Sequence, residues 1–264
     1  MKKTQGIVSK RRARILEYLN SNETISNNEL AEKLNISPLT LRRDLQALDE
    51  EGLVVRHYGG ARLASSSDKY ENPSSNENEN NSTLLDNKHA LAKYAASLIN
   101  DGDTIFINSS STALLILEYL GDKRVYVVTN NGKALHSTIG PNIDLVLTGG
   151  QVYERKQSLI GEFATYILSK ITANKCFLGV SGIDCDLGIS TSVLQETLVN
   201  HEMINRCGGP IYVLADSSKI GKHHNFSSGE INEISHLITD SNISDEDIEK
   251  FKEKGVTVTK VTNE

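Results

Sequence analysis

From residue 88 onward, short apolar runs alternate with segments of helical length. The runs are Thr104–Ile107, Val125–Val128, Ile143–Leu147, Cys176–Val180, Ile211–Leu214, His236–Ile238 and Val256–Val258. Runs this short, evenly interrupted, predict buried strands of an open, mostly parallel α/β sheet. Leu91, Ala95, Leu98 and Ile99 mark a helix leading into it, and Ser192–Gln195 and Ser244–Asp247 have the spacing of capping boxes for two later helices.

The front of the chain has a different period. Ile15, Leu16 and Leu19 give a first helix ending near Asn20. Ser26-Asn-Asn-Glu29 is a capping box ahead of Leu30, Ala31 and Leu34, a second helix. After Asn35 and Ile36, Ser37 supplies an N-cap, Pro38 fits the first helical position, and Gly52 follows the last turn. Leu41, Leu45 and Leu48 form the inward stripe of this third helix, leaving Thr40, Arg42, Arg43 and Gln46 facing elsewhere. Helix, short turn, helix is a DNA-binding unit, and those hydroxyl, guanidinium and amide groups suit phosphates and base edges. Leu53–Leu63 reads as two short strands with Gly59-Gly60 at the turn, a wing offering Arg56, His57, Tyr58 and Arg62 to the DNA backbone or a minor groove. Solvated arginines are the plainer reading of each cation alone.

Charge separates the two parts. Residues 1 to 65 hold 11 Lys and Arg against 8 Asp and Glu, net +3, while the remainder holds 17 against 26, net −9. A basic head on an acidic body fits a DNA-contacting module joined to a domain with another task. Between them, residues 64 to 87 are rich in Ser, Asn and Glu and predict a flexible linker spanning roughly 25 to 30 Å. The expected organisation is a head over 1–63, a linker over 64–87 and a body over 88–264. Neither a secretory apolar region nor a membrane-length apolar run stands out, so a cytoplasmic protein without membrane attachment is expected. Cys176, Cys185 and Cys207 have no metal-type spacing and read as reduced thiols; no metal or cofactor is expected.

The strand ends of the body carry the candidate chemistry. They read Asn108-Ser109-Ser110-Ser111-Thr112, Thr129-Asn130-Asn131, Thr148-Gly149-Gly150, Ser181-Gly182-Ile183-Asp184 and Asp216-Ser-Ser-Lys219. Ligands of open α/β sheets bind outside the carboxyl ends of the strands, so these hydroxyls, amides and glycines predict a site for an oxygen-rich anion, with Lys219 as counter-charge. Each such turn by itself is equally the ordinary composition of a βα connection.

Two resemblances sharpen this. The segments RRARILEYL (11 to 19), ELAEKLNIS (29 to 37), TLRRDLQALDEEGLV (40 to 54) and RHYGGA (56 to 61) resemble the winged helix-turn-helix of the DeoR family of bacterial transcription regulators. In TLRRDL, Thr, two Arg and Asp are residues that helix packing does not itself require. The motifs DGDTIFIN, VVTNN, LTGG, LIGEFA, FLGVSGID, GIST and LADSSKIG resemble the sensor domain of the same regulators, a relative of the ribose-5-phosphate isomerase fold. Asn108, Ser110 and Asn131 stand where that family commonly has Asp, Gly and Ser. The resemblance implies operator DNA and a phosphorylated sugar as partners and a repressor of carbohydrate-metabolism genes; a single small head offers limited base contact, so a homo-oligomer (dimer or tetramer) on repeated half-sites is expected. The alternative is a sugar-phosphate isomerase-like enzyme with a DNA-binding head, for which Glu196 stands roughly at the position of the isomerase base. Gly179-Val-Ser181-Gly182 lacks the two carboxylates of the isomerase turn, so binding without catalysis is expected.

Overall fold

The computed structural model describes residues 11–19, 25–34, 36–50, 54–57, 60–63 and 78–262. The chain divides into two compact units, Met1–Ser82 and Thr83–Glu264.

In the first unit, helix α1 covers 11–19, strand β1 Ile25–Ser26, α2 Asn27–Leu34, α3 Pro38–Glu50, β2 Val54–His57 and β3 Gly60–Leu63. Ile15, Leu30, Leu41, Leu45 and Leu48 are buried in one core with Val54 and Ala61, so the stripes read from sequence meet. The Ser37 hydroxyl accepts from the Thr40 backbone N–H at 3.2 Å and caps α3 ahead of Pro38. β3 pairs antiparallel with both β2 and β1, making a three-stranded wing sheet. β1 is two residues long and leaves no periodic signal. Gly60 pairs with His57 and so belongs to β3 rather than to the turn.

The second unit is organised on one seven-stranded sheet. Its strands are β4 Thr104–Ile107, β5 Val125–Thr129, β6 Ile143–Leu147, β9 Lys175–Gly179, β12 Ile211–Leu214, β14 His236–Asp240 and β15 Thr257–Val261, in the order β15-β14-β12-β9-β4-β5-β6. Every pairing in it is parallel. Alternate residues face opposite layers. Ile105, Ile107, Val125, Val127 and Phe177 pack under Leu91, Ala92 and Ala95 of α4 (Asn78–Ser97), under Ile99 just beyond it, and under Ala113 of the short α5 (Ser111–Leu114). Phe106, Cys176, Leu178, Val213 and Leu237 pack under α6 (Glu162–Ser169) and α7 (Leu194–Asn205). Burial on both faces is what continuous apolar strands require. Two small antiparallel sheets flank it: β7 (Gln151–Tyr153) with β8 (Ser158–Ile160), and β10 (Gly182–Asp184), β11 (Gly188–Thr191) and β13 (Phe226–Gly229). α8 (Asp245–Glu253) is capped by Ser244, whose hydroxyl accepts from Asp247 N–H.

Two expectations need correction. Residues 78–87 of the span read as linker are helical in α4. The helix is anchored by its buried apolar face from Leu91 on, and extending an existing helix fixes one residue per added hydrogen bond. The remaining 64–77 lie outside the described residues. Ser192 does not open a capping box. The N-cap of α7 is Val193, without a side-chain cap, and the Thr191 hydroxyl takes the Val193 N–H at 3.2 Å.

Candidate functional site

On α3, Arg43 is exposed and makes no ion pair with any described residue, while Ser37 and Thr40 share a hydroxyl contact of 2.8 Å at the helix start. The side chains of Arg42, Gln46, Arg56 and Arg62, and Tyr58 as a whole, lie outside the described residues. Asp44 corrects the reading of TLRRDL. It is buried and accepts from the Arg11 guanidinium through Nε and, at 3.1 Å, through Nη2, with Arg12 Nε at 3.4 Å. The motif's carboxylate therefore fastens α1 to α3, and its charge holds the Arg11 pKa above the ordinary value, mainly through the hydrogen bond.

In the body, strand order reverses between β4 and β9: β5 and β6 lie to one side of β4, and β9, β12, β14 and β15 to the other. This is the switch point at which an open sheet leaves a crevice. Asn108 bridges it. Its Nδ2 donates to the Gly179 carbonyl (2.9 Å) and to Asn200 Oδ1 (3.1 Å), while its Oδ1 accepts from Gly179 N–H (3.1 Å). Ser110 caps α5, accepting from the Thr112 and Ala113 N–H groups, and a Cβ on Gly179 would collide with the Ser110 side chain. Ser109 and Thr112 are partly exposed and Ser111 is exposed.

Glu196 sits in the first turn of α7 with only 4% of its surface exposed. Its Oε1 accepts from the Ser109 hydroxyl at 2.8 Å, and its Oε2 takes Lys156 Nζ at 2.9 Å and the Thr191 hydroxyl at 3.3 Å. A buried carboxylate needs this much compensation. Lys156 comes from the turn between β7 and β8. That hairpin is tied to the end of β5: Leu159 N–H donates to the Asn130 carbonyl (2.7 Å), and Asn130 Nδ2 donates to the Leu159 carbonyl (3.1 Å). Asn131 donates to the Ser110 carbonyl at 3.3 Å and accepts from Lys133 N–H at 3.1 Å; the Thr129 hydroxyl accepts from Asn131 N–H. Thus Ser109, Lys156, Thr191 and Glu196 form one hydrogen-bonded set, and Asn108, Ser110 and Asn131 a second that adjoins it through the consecutive residues 108–110, at the carboxyl ends of β4 and β5. The Asn130 Oδ1 and Ser158 Oγ atoms are buried without a protein partner. Lys133 is half-buried, and its pKa is held below the ordinary lysine value by burial first and then by repulsion from Lys88 and Lys156. Lys88 and Lys156 thus lie near enough for their charges to act on Lys133.

The other expected residues lie apart from this set. Gly149 and Gly150 have φ of 67° and 110°, and Gly150 leaves no room for a Cβ against the Ile160 carbonyl; they shape the turn from β6 into β7. Ser181 donates its N–H to the Ser190 carbonyl, and its own carbonyl is met by His224 Nε2 at 3.1 Å. Gly182 is packed against the Lys222 carbonyl. Asp184 closes the β10–β11 turn by accepting from Asp186 and Leu187 N–H groups. Lys219 ends a 3-10 turn capped by Asp216, and no hydrogen bond links it to the Glu196 set. Lys88, Lys133, Lys156 and Thr191 were not singled out from the sequence. Lys133 is two residues beyond Asn131 and could have been; Lys156 is delivered by a hairpin of three-residue strands, too short for periodicity to reveal.

Residues 11–67 match the model of the DeoR-like helix-turn-helix domain, and residues 84–241 match that of the DeoR C terminal sensor domain. The chain belongs to the DeoR family. This DeoR-family protein is a DNA-binding transcriptional regulator with a C-terminal sensor domain. It is 30% identical over 247 residues to a lactose phosphotransferase system repressor of Staphylococcus epidermidis, covering 91% of this chain and 93% of that one. It is 32% identical to the HTH-type transcriptional regulator YulB of Bacillus subtilis (97% of each chain) and 32% identical to GolR of Listeria innocua (94% and 96%). Among solved structures, ribose 5-phosphate isomerase A of Neisseria gonorrhoeae aligns over 50% of this chain and 52% of that one, with TM-score 0.33 and 17% identity, a likeness too slight to carry an argument. Among the described residues no helix is long and apolar enough to cross a membrane.

Proposed function

We propose that this regulator represses a carbohydrate-metabolism operon, acts in the cytoplasm as a homo-oligomer on operator DNA, and is controlled by a phosphorylated sugar held at the carboxyl ends of β4 and β5. The observation that carries this reading is the Glu196 set with its neighbouring cations. The charges of Lys88 and Lys156 both act on Lys133, so a phosphate bound beside Lys133 meets a positive local field. Ser109, Thr191 and the Glu196 carboxylate offer hydroxyl-directed partners beside it. The relative named for the lactose phosphotransferase system supports a phosphorylated sugar as the class of ligand. The counter-charge assigned to Lys219 from sequence passes in this reading to Lys133 and Lys156.

The same geometry favours recognition over turnover. Both Glu196 oxygens are already engaged, and Asp184 is occupied in a hairpin turn. A carboxylate held by a lysine and two hydroxyls is thereby fixed in place as a binding and positioning group. In the head, Arg43 and, from sequence, Ser37, Thr40, Arg42, Gln46, Arg56, Tyr58 and Arg62 are the proposed DNA contacts. The test is thermal stabilisation of the full chain by a panel of pentose and hexose phosphates, each beside its unphosphorylated sugar. A ligand at about 100 times its dissociation constant adds ~2.7 kcal/mol, a readily measured shift. Lys133→Ala and Lys156→Ala should each weaken the phosphorylated ligand and leave operator binding without ligand intact. Stabilisation by free sugars alone, or isomerase turnover abolished by Glu196→Gln, would contradict the proposal.

A further inference from the structure

We infer that the outward face of α6 and α7 is the surface through which two copies of this chain pair. This inference rests on the homo-oligomer reading above and names the interface. α6 and α7 lie against each other on the same layer of the sheet, with Ala164, Leu168, Val199 and Met203 turned into one core. Their other sides carry large apolar groups: Phe163 is 77% exposed and Tyr166 59% on α6, and Leu194 is 56% and Leu198 68% exposed on α7. The spacing of each pair, i to i+3 and i to i+4, sets it on one helical face. Singly exposed leucines need no explanation, but two aromatic rings and two leucines on adjoining helices form a patch. With an aromatic side chain carrying about 150 to 250 Å², the four together present on the order of 500 Å².

That area decides the occupant. A standard interface buries about 800 Å² on each partner, and homodimer interfaces are about 65% apolar, so a self-pairing face needs roughly 500 Å² of apolar surface. The patch supplies that amount without help from elsewhere. A face meeting its own copy must also be self-complementary, each copy offering both protrusion and recess. The exposed ring of Phe163 protrudes, and beside Leu198 a cleft of about 290 Å³ opens between α7 and β13, lined by Thr197, His201, Ser228 and Glu233. Polar groups edge the patch, among them Lys170, whose ammonium lies 4.8 Å from the centre of the Tyr166 ring.

The pairing gives α7 two roles. Leu194 and Leu198 look out to the second copy while Glu196, between them, looks in to Ser109, Thr191 and Lys156. A shift of α7 on occupation of the inner site is thereby felt at the subunit boundary.

The experiment is sedimentation equilibrium of the full chain at micromolar concentration, for the wild type and for Phe163→Glu, Leu198→Glu and Leu187→Glu. Leu187 is comparably exposed at the β10–β11 turn and serves as a control away from the patch. The inference expects the wild type at two or more chain masses, each of the first two variants at half the wild-type mass, and the control unchanged. Circular dichroism should show all of them folded, since each replaced side chain is already solvent-exposed. A monomeric wild type overturns the pairing itself. An oligomer whose mass survives both patch substitutions overturns the choice of face and leaves the oligomer reading standing. Thermal stabilisation by hexose phosphates, measured on the same samples, reports on the inner site separately, so its failure is not confused with either outcome.

Discussion

The side chain of Asn108 forms a two-bond ring with the backbone of Gly179, donating to its carbonyl at 2.9 Å and accepting from its N–H at 3.1 Å. One residue beyond the end of β4, an amide thus imitates a strand and continues the pairing with β9 across the switch point. Only a side chain with one donor and one acceptor in a plane does this, which is what Asn offers and Asp does not. Asn108→Ala should lower the unfolding free energy by about 1 to 3 kcal/mol, because buried Gly179 groups lose their partner. Urea unfolding with an unchanged slope and a lowered midpoint would be the expected record; an unmoved midpoint would show the ring to be dispensable.

Gly179 is confined from the other side by Ser110. A Cβ there would overlap both Cβ and Oγ of that residue. Gly179→Ala should destabilise by ~1 to 3 kcal/mol through overpacking, and Ser110→Gly in the same chain should recover part of the loss despite removing the α5 cap. Additive losses in the double variant would show that the two side chains do not compete for the same space.

Adjacent residues of α3 should behave oppositely. Asp44→Ala removes the carboxylate that holds Arg11, and with that guanidinium partly exposed the expected cost is about 1 to 3 kcal/mol in the stability of the head. Arg43→Ala should leave thermal stability within about 0.5 kcal/mol. It should instead weaken operator binding, with a shallower salt dependence if the contact is to phosphate. Differential scanning calorimetry and a salt titration of operator affinity separate the two.

His236 stacks on Tyr212 at 4.8 Å between ring centres, and Tyr212 stacks on Phe177 at 5.0 Å, a ladder across β14, β12 and β9. Burial holds the His236 pKa below its ordinary 6.5, and its Nδ1 has no protein partner. The folded state thus binds the proton less tightly than the unfolded chain. This contribution to stability is complete above the unfolded pKa and is lost as the pH falls through it toward the lower folded value. Between about pH 8 and about pH 5 the wild type should lose stability relative to His236→Phe. A constant difference over that range would show that His236 binds its proton equally well in the folded and unfolded chain.

Much of this was legible in the sequence because it depends on local periodicity. The apolar runs from Thr104 to Val258 are the seven strands of the sheet, and Ile15, Leu30, Leu41 and Leu45 mark the inward faces of the head. Ser37 and Ser244 cap the helices they precede, since a cap is a relation between neighbours. Sequence spacing alone could not rank the polar strand ends, because it says where a turn lies and not which turns converge. Strand order placed Asn108 against Gly179, and the β7–β8 hairpin carried Lys156 forty residues along the chain to Glu196. It also gave Gly149, Gly150 and Asp184 to turns instead. The packing role of Asp44 was hidden for a related reason: its partners Arg11 and Arg12 lie more than thirty residues away. Local hydrogen bonding and burial period are written into consecutive residues, while charge neutralisation and close approach across a sheet exist only once the chain has closed on itself.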